Sequence, residues 1–255
     1  MRLRARIREI LFPPACSACG SLLDRPDFLS GKALCKACMQ EWERQKNEPC
    51  EICAKPVRLC RCMTGDMEEY QCEAFCKLTY YMHGRREPVQ NRLIYAIKQE
   101  RTRRTVDFLA RELVPSVQAL LLEQRLLPEN TVLTYVPRAT AARLEYGTDQ
   151  ARELAAALAR ELSIPMLPLL ERISGRGHAQ KHLNSAERIK NAKKAYRVCD
   201  CKGTKGKTVL LVDDIVTSGA TMASCSRLLK RAGARRIFAV AVASDDIQRV
   251  PKNKN

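Results

Sequence analysis

Ten of the thirteen cysteines fall between Cys16 and Cys76 of a 255-residue chain. A stretch that short cannot build a large core of its own, so thiols this dense are expected to be crosslinked or to hold metal. Cys16 and Cys19 form one C-x-x-C, and fifteen residues later Cys35 and Cys38 form another. Four soft thiolates at that spacing can close tetrahedrally round Zn2+, as two facing knuckles of a zinc ribbon. A second set follows in "CEICAKPVRLCRC". We expect Cys50, Cys53, Cys60 and Cys62 to be its ligands, although Cys72 or Cys76 lies close enough to replace one of the tight C-x-C pair. Four protein ligands leave no position for water, which makes both metals structural. A disulfide framework fits less well, because the opening "MRLRARIREILFPP" is too short and too charged for a signal peptide.

Beyond the cysteines the pattern changes. Residues 91–127 repeat apolar positions with helical spacing, "TVLTYVP" reads as a buried strand ended by Pro137, and an alanine-rich helix is expected over 148–162. "IPMLPLL" reads as a short strand broken by prolines, and Glu171 to Tyr196 as a polar, basic and mobile surface segment. A strand from Val209, a helix over about 220–232 and the strand "RIFAVAVA" complete the order. Alternating strands and helices imply an α/β fold with a mostly parallel sheet flanked by helices, preceded by the small double zinc ribbon. The expected division is 1–70 for the ribbons and 71–250 for the α/β domain, with 251–255 a disordered basic tail.

The stretch "VLLVDDIVTSGAT", Val209 to Thr221, is the densest functional signal. Its aliphatic run suits a central parallel strand covered on both faces, and ligands of such sheets sit beyond the carboxyl ends of the strands. Asp213 and Asp214 can there accept hydrogen bonds from a vicinal diol such as the ribose 2′- and 3′-hydroxyls. Thr217, Ser218, Gly219, Ala220 and Thr221 then offer hydroxyls and free backbone N–H groups at the start of a helix, a place suited to a 5′-phosphate. Diol and monophosphate together describe a phosphorylated ribose.

These thirteen residues resemble the phosphoribosyl pyrophosphate (PRPP) motif of type I phosphoribosyltransferases. That resemblance gives Asp213 and Asp214 the ribose hydroxyls and Thr217 to Thr221 the phosphate; Thr217 stands where purine-salvage members often carry an acid. Nearly the whole chain resembles the ComF family, in which paired zinc ribbons precede a phosphoribosyltransferase-like domain. Lys98 in "LIYAIKQERTRR" matches a family lysine, "YVPRATAAR" a valine-proline strand end, and Gln180, Arg188 and Asn191 a later pattern. "YGTDQ" replaces the family's "RGFNQ", keeping only the Gly and Gln. The resemblance adds Lys98 and Arg188 to the PRPP-binding residues and implies Mg2+ on the pyrophosphate. It also implies single-stranded DNA and competence-machinery proteins as partners in DNA uptake during natural transformation.

With 45 Lys and Arg against 28 Asp and Glu, the net charge of +17 suits nucleic acid, anionic lipid or phosphorylated ligands. Arg138, Arg176 and Lys181 are further basic candidates for the pyrophosphate. His178 and His182 read as surface residues, Cys225 as a buried helix residue, and Cys199 with Cys201 as incidental thiols. The aromatic share of 5% argues against an extensive base-stacking platform. No run approaches the roughly eighteen apolar residues that span a bilayer. A cytoplasmic protein is expected, with a peripheral position at the inner face of the membrane as the alternative. Transfer of phosphoribose to an acceptor stands beside two other classes, a nucleic-acid-binding factor and a PRPP-sensing adaptor without turnover.

Overall fold

The computed structural model describes residues 13–24, 26–27, 30–63, 67, 72–99, 103–138, 149–173 and 195–245. Helix α1 (Lys36–Lys46) follows the first cysteine loop, and β1 (Phe75–Cys76) and β2 (Thr79–Tyr81) follow the second. Then come α2 (Val89–Gln99), α3 (Arg103–Glu123), β3 (Thr131–Tyr135) and α4 (Gln150–Leu162). The chain continues as β4 (Leu170–Arg172), β5 (Tyr196–Val198), a single turn α5 (Cys201–Thr204), β6 (Thr208–Val216), α6 (Ala220–Arg231) and β7 (Arg236–Asp245).

The main sheet runs β1, β7, β6, β3, with β2 also on β7, and every pairing is parallel. Burial on both faces explains the uninterrupted aliphatic runs of β6 and β7. Strand alternation divides those runs between two layers. Leu210, Val212, Phe238 and Val240 face one side, packed with residues of α2, α3 and α4. Val209, Leu211, Ile237 and Ala239 face the other, packed with Met222, Cys225 and Leu229 of α6.

The structure refines several expectations. The helical repeat of 91–127 is divided into α2 and α3, and α3 carries Pro115 inside it. The proline-broken strand is reduced to one bridge, Met166 beside Leu133, flanked by the bonds Leu133 N to Pro165 O and Leu167 N to Leu133 O. Pro165 and Pro168 have no N–H to extend the ladder. The ends of the segment read as mobile, Glu171 to Tyr196, instead form part of an antiparallel ribbon, β4 with β5. Strand β6 does not end before its acids: it pairs with β7 through Val216, whereas its pairing with β3 stops at Val212. The basic tail 251–255 lies outside the described residues.

Candidate functional site

Each four-cysteine set is closed by a knuckle. In the first, Cys16 N donates to Ser21 O and Gly20 N to Cys16 O; in the second, Cys50 N donates to Lys55 O and Ala54 N to Cys50 O. The sulfurs of Cys16, Cys19, Cys35 and Cys38 all lie within 4.8 Å of one another, and so do those of Cys50, Cys53, Cys60 and Cys62. A zinc ion about 2.3 Å from four sulfurs needs sulfur separations of roughly 3.8 Å. Cys19 and Cys35 are already 3.8 Å apart, so the donor sets fit the ion. Cys72 and Cys76 stand outside the second set and donate instead to the carbonyls of Ala74 and Ser116. Hydrogen bonding to Ser21 pulls the Cys19 thiol down to about 6. Burial opposes ionisation of Cys50, but hydrogen bonds from Tyr80 and from the Cys53 and Ile52 backbone outweigh it, again reaching about 6. The shifts divide within each set, since burial pushes Cys38, Cys60 and Cys62 up.

The second site lies at the carboxyl end of β6. Because β3 stops pairing at Val212, the backbone beyond is served locally: Asp214 N donates to Asp213 Oδ1 and Ile215 N to Asp214 Oδ1, both at 2.9 Å. Alternation sends the two carboxylates into different surroundings. Asp214 is buried and meets Arg138 Nη2 at 2.8 Å and Lys98 Nζ at 3.6 Å. Burial opposes its charge, but Lys98 and Arg138 outweigh that and hold its carboxyl below the usual range. Asp213 is half-buried and, among the described residues, has no ion pair. Burial and the adjacent Asp214 carboxylate push it well above the usual range.

Three separate elements thus converge on Asp214. Lys98 comes from the last turn of α2, Arg138 from the segment after β3, and the acid from β6. Arg138 is itself held, its N–H donating to Asp149 Oδ2 at 3.1 Å while Asp149 also caps α4 through Arg152 N. Asp149 belongs to the "YGTDQ" stretch, so its short polar side chain ahead of an alanine-rich helix was a readable capping signal. Past Val216 the chain turns through exposed Thr217 and half-buried Ser218 to Gly219, at φ 81°, and enters α6. Ser218 Oγ accepts from Ala220 N at 3.4 Å, so hydroxyl and helix N-terminus share one turn.

On the Asp213 side stand two residues that sequence reasoning did not single out. Tyr196 of β5 is buried, feels the charge of Asp213 and lies in hydrogen-bonding reach of Thr221. Arg172 of β4 donates to the Tyr196 hydroxyl at 3.4 Å and sits 5.5 Å from its ring centre. The β4–β5 ribbon therefore covers the motif. Arg188, with Arg176, His178, Gln180, Lys181, His182 and Asn191, lies outside the described residues. Cys225 is buried in α6 as expected, and Cys199 and Cys201 are exposed. No helix among the described residues is long and apolar enough to cross a membrane.

Residues 148–255 match the phosphoribosyl transferase domain family. Competence protein F of Haemophilus influenzae is 33% identical over 92 residues, 36% of this chain and 40% of that protein. A ribose-phosphate pyrophosphokinase of Prochlorococcus marinus is 54% identical over 37 residues, 14% of this chain and 11% of that protein. The chain therefore spans less than half the length of these curated relatives. A solved purine phosphoribosyltransferase of Pyrococcus horikoshii aligns with 56% of this chain and 78% of its own at 16% identity and a TM-score of 0.32.

Proposed function

We propose that this ComF-like chain, with its phosphoribosyl transferase domain match over 148–255, binds PRPP with Mg2+ at the carboxyl end of β6. The observation that carries the reading is the placement of Asp213 and Asp214 directly before a turn that opens a helix, with Lys98 and Arg138 gathered on Asp214. Asp213 and Asp214 hold the ribose hydroxyls. Thr217, Ser218, Gly219, Ala220 and Thr221 receive the 5′-phosphate, where backbone N–H groups and the positive end of α6 favour an anion.

Carboxylate oxygens suit a hard cation, and Asp213, charged only at a cost in the free protein, gains a partner when Mg2+ arrives with the ligand. The ion supplies charge neutralisation of the pyrophosphate. Lys98 and Arg138 keep Asp214 ionised and oriented, and Arg188 is assigned to the ligand's remaining charge. The Cys16, Cys19, Cys35, Cys38 and Cys50, Cys53, Cys60, Cys62 sets hold structural zinc, and the ribbons divide from the α/β part near residue 70.

Calorimetric titration of PRPP and Mg2+ into the zinc-loaded protein and into an Asp213→Asn, Asp214→Asn double variant tests this. Binding is expected in the first and lost in the second; absence of binding by the parent at millimolar ligand would refute the site. Turnover shows separately, as pyrophosphate release that depends on an added acceptor.

A second reading, contact with single-stranded DNA during uptake, rests on the +17 charge and on the competence protein among the relatives. Backbone contact predicts an affinity that falls steeply with salt. Binding that ignores salt, or is absent at low salt, would remove it and favour a PRPP-responsive adaptor acting through protein partners.

A further inference from the structure

Lys77 is wholly buried, with no exposed surface. It lies between β1 and β2 on the edge of the main sheet, where Leu78 N donates to Val242 O. Among the described residues no carboxylate is in ion-pair range of it. A buried ammonium without an anion is among the costliest groups a fold can contain. Its Nζ instead points out of the α/β part into the second cysteine set, 3.5 Å from Cys60 Sγ and 2.7 Å from the Cys62 carbonyl, and 4.9 Å from the Phe75 ring centre.

Four thiolates round a divalent ion carry a net charge of about −2. That is an anion within hydrogen-bonding reach of Lys77. We propose that Lys77 is the built-in counter-ion of the second four-cysteine metal centre, donated across the boundary by the sheet. Metal centre and sheet edge then each neutralise a charge the other could not bury alone.

The loop bearing the centre is seated by other bonds to the same body. Arg61 Nη2 donates to Ser116 O at 3.0 Å, Ser116 Oγ to Arg58 O at 2.6 Å, and Arg61 Nε pairs with Glu123 at 3.2 Å. These orient the loop without supplying charge to the sulfurs. The first centre differs: Arg92 lies 3.8 Å from Cys38 Sγ but is already paired with Glu41 at 3.2 Å, and half-buried Arg104 feels the charge of Cys16. The wholly buried cation, Lys77, faces the second set.

The inference rests on both sets holding zinc, and the test separates the two claims. Zinc is counted by native mass spectrometry in the parent and in Lys77→Met, and its release into a chelator is timed. The parent should hold two ions; fewer would overturn the zinc reading itself. In Lys77→Met one ion should leave about tenfold faster or more while the other keeps its parental rate, the usual size of an outer-shell effect. Two ions leaving at parental rates, or both accelerated alike, would overturn the role of Lys77.

Thermal melts with and without zinc add a second arm. Stripping zinc should cost the parent more than Lys77→Met, because only the parent keeps a buried ammonium beside the emptied thiolate centre; equal losses would mean a merely structural lysine. Should Lys77→Met fail to fold, cadmium-113-loaded parent protein gives the answer by NMR. The Lys77 ammonium protons should exchange slowly and show coupling to cadmium through Cys60, and fast exchange without coupling would sink the proposal.

Discussion

Asp213 and Asp214 are adjacent and chemically identical, yet one residue of strand alternation gives them opposite electrostatics. Asp214 has a folded-state value below the ordinary one, so it contributes stability above about pH 4 that is lost as pH falls further. Asp213 has a raised value, so between about pH 4 and that value the folded chain keeps a proton the unfolded chain releases, and stability falls as pH rises. Opposite substitution effects follow for the ligand-free protein. Asp213→Asn should raise the melting temperature near neutral pH, with the gain shrinking towards pH 5. Asp214→Asn should lower stability by about 1–3 kcal/mol, because Lys98 and Arg138 lose their shared anion in a partly buried place. Fluorimetric melts of both variants from pH 5 to 8 decide the matter; shifts of the same sign would mean that the two carboxylates share one environment. The acid pair was legible as a pair, from the aliphatic run before it and the small-residue turn after it. Its asymmetry was not, since it depends on residues 76 and 116 positions away in the chain, Arg138 and Lys98, being brought to Asp214.

At the scale of elements, the two cysteine knuckles are the same device written with different residues. Gly20 follows Cys19 at φ 74°, and Ala54 follows Cys53 at φ 56°. Both are left-handed, which costs a residue with a Cβ roughly 1–2 kcal/mol, offset in part by the greater freedom glycine has in the unfolded chain. A Cβ on Gly20 would meet nothing within 4 Å, so strain alone is at issue. Gly20→Ala should therefore cost about 1 kcal/mol, while Ala54→Gly should be neutral or stabilising by up to about 1 kcal/mol. Urea unfolding of the zinc-loaded variants checks both, and a destabilising Ala54→Gly would show that its backbone is not strained. Spacing made the knuckles and the choice of four ligands in the first set readable. Choice in the second set was open until Cys72 and Cys76 were seen turned to the carbonyls of Ala74 and Ser116. The β4–β5 ribbon escaped notice for a related reason: three-residue strands carry almost no periodicity, and what identifies them is each other.

For the molecule as a whole, the question is whether the cysteine-bearing part is an appendage or a support. One continuous apolar cluster includes Cys16, Leu23, Leu34 and Trp42 together with Phe108 and Leu109 of α3 and Leu210 and Phe238 of the sheet. Trp42 donates its Nε1 proton to Glu112 at 2.8 Å, and Lys46 pairs with the same carboxylate. Val89 N, at the start of α2, donates to Glu41 at 2.9 Å. Helix α2 is also the helix that delivers Lys98 to Asp214. Losing zinc should therefore unseat α1, expose the outer faces of α2 and α3, and loosen the cation placement at a site built from other elements. In scanning calorimetry, chelation should shift one cooperative transition downward. In a chain of this size each kcal/mol moves the midpoint by about 2–4 °C, so loss of several kcal/mol of metal binding means roughly 10 °C or more. PRPP affinity should weaken in the stripped protein before the sheet unfolds. If the chelated protein instead keeps a transition at the original temperature, with the β6 and β7 amides still protected from hydrogen exchange, the ribbons are an independent module. Zinc would then bear on stability only within its own loops, and the geometry at Asp214 would stand without it.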